Sequence, residues 1–178
     1  VLSSMVAIPI VIGLTYLGNI WFLSLMIFGS VLAAYELSKF LAQKKIRTTP
    51  LLSASISGAL VLIAFLLAVF DMNSIIFSLT ISVLSLTSVA ILPLLTRRTP
   101  TKFINLLSSI TAGVYVGGLL SFAPLLREGP NGLEWTLYLF VTIALTDSGA
   151  YGVGKAIGKT SFFPKISPAK ALEGALGG

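Results

Sequence analysis

The residues able to do chemistry gather in one stretch. From Asp147 to Gly178 the chain reads DSGAYGVGKAIGKTSFFPKISPAKALEGALGG. Four lysines, Lys155, Lys159, Lys165 and Lys170, lie between Asp147 and Glu173 with no acid among them. Such a set can hold several phosphate groups at once, because each phosphate needs more than one cation or donor. Asp147 closes the uncharged run Trp135–Thr146. A carboxylate at membrane depth is costly unless it is hydrated, paired or bound to a cation, which makes Asp147 a candidate metal ligand as well as a candidate helix end. Ser167 precedes Pro168, the pattern of an N-cap followed by proline at the first helical position. The spacing predicts a helix beginning there, its free N–H groups suited to an anion. Lys170 and Glu173, three apart, would share a face of that helix.

The glycines Gly149, Gly152, Gly154 and Gly158 permit two readings, close approach of backbone to a phosphate or of one helix to another. Two phosphate-binding motifs are excluded by spacing. Between Gly154 and Gly158-Lys159-Thr160 there are three residues where a P-loop needs four, and Ile157 stands where the dinucleotide fingerprint needs its last glycine. Neither motif has its required preceding strand.

The elements that must position these residues are set by composition. The apolar set is 56% of the 178 residues and charged residues are 10%, and mean hydropathy is +0.99. An average soluble domain carries about a quarter charged residues, so a water-soluble surface is excluded and an integral membrane protein is expected. The chain has no Cys and no His. Disulfides, zinc–thiolate sites, histidine bases and Ser-His-Asp triads are thereby excluded. The net charge is +6 and the pI about 9.8. In a soluble protein that balance would suggest nucleic acid. Here the basic residues form short clusters between apolar stretches, so no nucleic-acid partner is expected, and the bilayer's anionic lipid or a nucleotide is.

A membrane span needs about 20 apolar residues. The charge-free residues 1–35 are long enough for two spans, broken at Gly18-Asn19 between Tyr16 and Trp21. The pattern predicts an all-α, polytopic transmembrane protein with about six spans, near 2–17, 20–37, 51–70, 72–96, 103–126 and 133–153. Residues 1–146 would be helices without site residues, and 147–178 the end of span six and a phosphate-site segment on one membrane face. Lys39, Lys44, Lys45 and Arg47, then Arg97, Arg98 and Lys102, then the four lysines of the tail fall on one side; the alternate connections hold Arg127 alone among basic residues. By the positive-inside rule that side is the cytoplasm, with both ends there and the site segment facing it. Serines in spans three and four (Ser53, Ser55, Ser57, Ser78, Ser82 and Ser85) read as helix packing and back-bonding. Gly113 and Gly117 read as a helix contact. The start lacks a basic n-region, so no signal peptide is expected, and both ends look trimmed.

Taken together, the segment resembles the phosphatidate cytidylyltransferases, the CDP-diacylglycerol synthases. Their run is D-x-G-A-Y-x-x-G-[KR]-x-x-G-K, then P-x-[IL]-S-P-x-K-[TS]-x-E-G-x-x-G-G. Asp147, Gly149, Ala150, Tyr151, Gly154, Lys155, Gly158 and Lys159 match the first part. Pro164, Ile166, Ser167, Pro168, Lys170, Glu173, Gly174, Gly177 and Gly178 match the second. The chain departs from the common pattern at Ala169, Ala171 and Leu172, where the family often has Lys, Thr and Trp. The resemblance implies transfer of a cytidylyl group from CTP to phosphatidic acid with Mg²⁺ as cofactor. It implies Asp147 at the metal, Lys170 and Glu173 in catalysis with Asp147, and Ser167, Lys155, Lys159, Lys165 and Gly174 at the substrates. It implies a homodimer as the working form. Family members continue past the paired glycines into a second region that supplies metal-binding carboxylates, so these 178 residues alone are expected to be inactive. The competing expectations are a CTP-dependent polyprenol- or phytol-type lipid kinase, which needs a base to activate its alcohol, and a non-catalytic transport or assembly protein. A transporter would more usually place polar groups at mid-bilayer, whereas the polar segment here lies at one face.

Overall fold

The computed structural model describes residues 2–43, 48–70, 74–95, 101–158, 161–163 and 167–178. The side chains of 2–6, 74, 90–95, 101–102, 161–163 and 167–170 lie outside that description. Seven helices come first: α1 (Leu2–Leu17), α2 (Asn19–Gln43), α3 (Pro50–Val69), α4 (Ser74–Leu95), α5 (Thr101–Leu120), α6 (Phe122–Glu128) and α7 (Gly132–Ile157). Two short strands follow, β1 (Ser161–Phe163) and β2 (Ser167–Ala171), and then α8 (Leu172–Gly177). Among the described residues the regular structure is helical apart from this antiparallel pair. It divides into two compact units, Val1–Leu133 and Glu134–Gly178.

Every stretch expected to span the membrane is a helix. Among the described residues, three helical stretches are long and apolar enough to cross a bilayer: Asn19–Gln43, Pro50–Val69 and Phe103–Glu128. Ala7–Leu17 and Ile75–Val89 are shorter apolar helices. Two boundaries differ from the sequence reading. The fifth stretch breaks at Ser121, between α5 and α6. The sixth does not break at Asp147, because α7 runs on to Ile157. Nothing in Ser148–Ile157 forces a helix to stop: there is no proline, and glycine weakens a helix by only about 1 kcal/mol.

The first unit is built inside out relative to a soluble bundle. Ile75, Val83, Leu84 and Leu86 on α4 are exposed, as are Phe28 and Leu32 on α2. Ser30, Ser38, Ser53, Ser57, Ser78, Ser85, Ser108 and Ser109 are buried. Lipid tails are as apolar as leucine, so apolar burial does not drive helices together in a bilayer; close packing of small residues and hydrogen bonds do. Ser53 Oγ donates to the Ser109 carbonyl at 2.9 Å and lies 3.2 Å from Ser38 Oγ. The Thr49 N–H donates to Ser109 Oγ at 2.7 Å. Ser57 Oγ reaches the Ser30 carbonyl at 3.2 Å, and Ser82 Oγ the Gly118 carbonyl at 3.2 Å. Ser55 and Ser85 back-bond within their own helices. A Cβ added at Gly113 would lie 2.6 Å from the Ser53 carbonyl oxygen, and one at Gly117 2.7 Å from Ser57 Cα. The glycine pair is therefore the seam between α5 and α3, as its spacing suggested.

The first helix ends where the sequence placed a break. Gly18 (φ 67) and Asn19 (φ 44) both take left-handed backbone, which favours glycine and tolerates asparagine. The carbonyls left unpaired at this end find Arg127: its Nε donates to Thr15 O at 2.9 Å and its Nη2 to Tyr16 O at 3.3 Å. The one basic residue off the expected cytoplasmic side thus caps α1. Arg127→Ala is expected to cost about 1.5–3 kcal/mol, the range for hydrogen bonds to a charged group. The check is a lowered thermal midpoint in detergent.

Candidate functional site

The second unit consists of the greater part of α7, the β1–β2 pair and α8. Its pairing register is Ser161↔Ala171 and Phe163↔Ser167, with an irregularity between. Phe163 and Ser167 each precede a proline, Pro164 and Pro168. A residue before proline is pushed out of the helical region into extended backbone. This corrects the expected helix start. Ser167 and Pro168 belong to β2, and α8 begins at Leu172 behind an extended Ala171 (φ −88, ψ 144) with no side-chain cap. Ser167 is therefore not an N-cap. Lys170 and Glu173 do not share a helix face either: Lys170 lies in the strand and Glu173 in the first turn of α8. Proline is tolerated here because a two-stranded pair is all edge.

Strand β2 turns directly into α8, and α8 lies against α7 through glycines. A Cβ at Gly174 would lie 2.8 Å from the Ala150 carbonyl oxygen and 3.0 Å from Gly154 Cα. A Cβ at Gly154 would lie 3.4 Å from Gly174 Cα. Gly149 faces the carbonyl of Gly177, and Gly158 faces the Ala171 side chain. A Cβ at Gly178 would lie 2.7 Å from the Thr146 carbonyl oxygen. Rising residue numbers on α8 meet falling numbers on α7, so the two helices run antiparallel. Gly152 is different: a Cβ there would meet nothing within 4 Å.

Asp147 is exposed in the interior of α7, and Lys155 is exposed in its last turn. A cation at a helix C-terminus is favoured by the helix dipole. Lys155 Nζ also stands 5.7 Å from the centre of the Tyr151 ring, within cation–π range. Glu173 is half-buried beside the buried Gly174. Because Gly174 sits on Gly154, the Glu173 backbone lies near the turn of α7 that carries Lys155. Asp147 is seven residues back from Gly154 along α7, roughly 10 Å at the helical rise. Lys159 and Lys165 lie outside the described residues, as do Pro164 and Ile166. The Ser167 and Lys170 side chains lie outside them as well; only their backbone is placed, in β2.

Among the described residues no group of three or more acidic side chains gathers. Mg²⁺ usually takes one or two protein carboxylates together with substrate phosphates. An exposed Asp147 fits such a role, phosphates completing the shell. Of the small face on α7 that receives α8, the sequence marked Gly149 and Gly154 as open to a helix contact but not Ala150 and Val153 between them. Its signal was there, since these residues recur at one and four positions along a helix.

The comparisons with known proteins agree with this segment's motif. The family model described as the cytidylyltransferase family matches residues 1–178. A phosphatidate cytidylyltransferase of Staphylococcus aureus (strain COL) is 28% identical over 159 residues, which cover 88% of this chain and 58% of the relative. A phosphatidate cytidylyltransferase of Bacillus subtilis (strain 168) is 43% identical over 68 residues, 38% of this chain and 25% of the relative. One of Staphylococcus haemolyticus is 36% identical over 77 residues, 43% of this chain and 29% of the relative. The chain thus spans 58% of the length of the Staphylococcus aureus relative. No solved structure matches. With its apolar helices the chain is a membrane protein, and with the family model matched from end to end it belongs to the cytidylyltransferase family.

Proposed function

We propose that the protein carrying this chain transfers a cytidylyl group from CTP to phosphatidic acid, giving CDP-diacylglycerol and pyrophosphate in phospholipid synthesis. The observation that carries this reading is the ordered match from Asp147 to Gly178, inside a chain matched to the family throughout its length. A lipid phosphate oxygen attacks the α-phosphorus of CTP. The new P–O bond forms as the bond to the bridging oxygen of the β-phosphate breaks, and pyrophosphate leaves with that electron pair. The nucleophile is already an anion near neutral pH, so the lack of histidine is no obstacle. The step needs charge neutralisation and in-line placement.

In this reading Lys159, Lys165 and Lys170 hold phosphates, as does Lys155 in the last turn of α7. Ser167 binds nucleotide through its hydroxyl, without the helix start first expected of it. Glu173 orients Lys170, its neighbour across the β2–α8 turn, and Gly174 keeps that turn close to α7. Asp147 would hold Mg²⁺, which when bound would supply neutralisation of phosphate charge. CTP is cytosolic, so the segment faces the cytoplasm, consistent with the basic residues on that side. In this reading six spans leave both ends on that side, which for a bacterial source is the cytoplasmic face of the plasma or inner membrane. The working form is a homodimer.

The test uses the complete gene product in detergent with phosphatidic acid, Mg²⁺ and CTP labelled at the α-phosphorus. Label in the lipid fraction is the expected result. Label retained in water-soluble nucleotide would overturn the reading.

A further inference from the structure

We infer that Gly149, Gly154, Gly174 and Gly177 are positioning residues: they form a steric seat that holds α8 antiparallel on α7 and so sets where Glu173 and the β2 strand stand relative to Asp147. The catalytic consequence rests on the cytidylyltransferase reading; the seat itself does not.

Three observations carry it. First, Gly149, Gly152 and Gly154 lie inside the unbroken helix α7, where backbone N–H groups are committed to carbonyls four residues back. Gly158 donates its N–H to Gly154 O at 3.1 Å. None of these amides is free to cradle a phosphate. Second, the contacts repeat in antiparallel order, Ala171 on Gly158, Gly174 on Gly154, Gly177 on Val153 and Gly149, and Gly178 on Thr146. Third, the glycines in contact are those of the motif, whereas Gly152, which the motif does not specify, faces open space. At Gly174 the opposing atoms are backbone and cannot yield. At Gly177 they are Cβ, Cγ1 and Cγ2 of Val153, a side chain that substitution can remove.

That difference supplies the test, run on the complete gene product. The native 178 residues contain no cysteine, so a pair introduced there reports cleanly once any cysteine elsewhere in the gene product is replaced. A Cβ at position 178 would lie 3.0 Å from Ala150 Cβ and 2.7 Å from the Thr146 carbonyl oxygen; disulfides span about 3.5–4.5 Å between Cβ atoms, so a small outward shift of residue 178 relieves the contact and brings the pair into range. Oxidation should cross-link A150C/G178C and leave G152C/G178C uncross-linked.

For turnover, Gly177→Ala drives a methyl into Val153. A displacement near 1 Å at a reacting centre costs on the order of 100-fold, expected in kcat with KM for CTP little changed. Adding Val153→Gly should restore most of it, because it removes all three opposing atoms. A glycine serving as a phosphate cradle would not be rescued by trimming Val153. Failure to cross-link A150C/G178C, or failure of Val153→Gly to rescue Gly177→Ala, overturns the inference. Cross-linking in a wild-type background that moves no label into lipid would keep the seat and remove the cytidylyltransferase reading.

Discussion

Lys170→Ala in the complete gene product is expected to lower kcat by about 10²–10³-fold, the loss of roughly 2–4 kcal/mol that follows removal of one donor to a developing anion. The proposed reaction creates no strong base and breaks no C–H bond. Its barrier is the approach of two phosphate-bearing anions and the departure of a third. A cation that meets the transferring phosphorus acts most strongly in the transition state, so its removal appears in kcat more than in KM. Lys170→Arg should recover part of the rate, since it keeps the charge but presents a planar fork in place of a point charge. Lys155→Ala should cost less than Lys170→Ala, because Lys155 is solvent-exposed and held against the Tyr151 ring. Label transfer from α-labelled CTP measures all three. A Lys170→Ala enzyme turning over near the wild-type rate would remove Lys170 from the mechanism.

The second large effect is a contrast between two glycines. Gly174→Val is expected to be destabilising and inactivating, and Gly152→Ala to be neutral or mildly stabilising. At Gly174 even the first added carbon meets Ala150 O at 2.8 Å and Gly154 Cα at 3.0 Å. Overpacking a fitted contact costs about 1–3 kcal/mol or more, and here α8 must move away from α7 to relieve it. At Gly152 the added methyl meets nothing within 4 Å, and replacing glycine by alanine inside a helix gains roughly 0.5–1 kcal/mol. Thermal unfolding in detergent and label transfer, measured on the same preparations, read both. Equal loss in the two variants would mean that glycine acts on α7 through something other than contact with α8.

Much of this was legible without coordinates. The apolar runs place every long helix, because span length follows from bilayer thickness and charge marks the ends. The left-handed break at Gly18-Asn19 was readable because few residues accept that backbone. The segment 147–178 stood out as the candidate chemical region from its lysines, its acids and its ordered motif, and the family followed from that motif. The Ser167-Pro168 pair misled. Its capping signature is real, but so is the rule that a residue before proline prefers extended backbone, and with Pro164 close by the extended state gained a pairing partner in β1. Local propensity could not choose between the two, since the deciding hydrogen bonds join Ser161–Phe163 to Ser167–Ala171.

The order of residues alone carries the class of molecule and the family: a helical membrane chain with the ordered cytidylyltransferase motif, from which the handling of phosphate is proposed. Composition and one-dimensional spacing carry those, because burial in lipid and ordered motifs are properties of the chain read in order. Tertiary structure decided what the glycines are for and where Asp147 and Glu173 stand. Whether a glycine admits a phosphate or a second helix depends on what lies across from it. For Gly154 that is Gly174, twenty residues further along the chain. Arg127 makes the same point: as a charge in sequence it marked the far side of the membrane, and in space it caps α1 through the carbonyls of Thr15 and Tyr16. Contacts between residues distant in sequence are fixed by packing: spacing can mark a packing face, as at Gly113 and Gly117, but it does not name the partner.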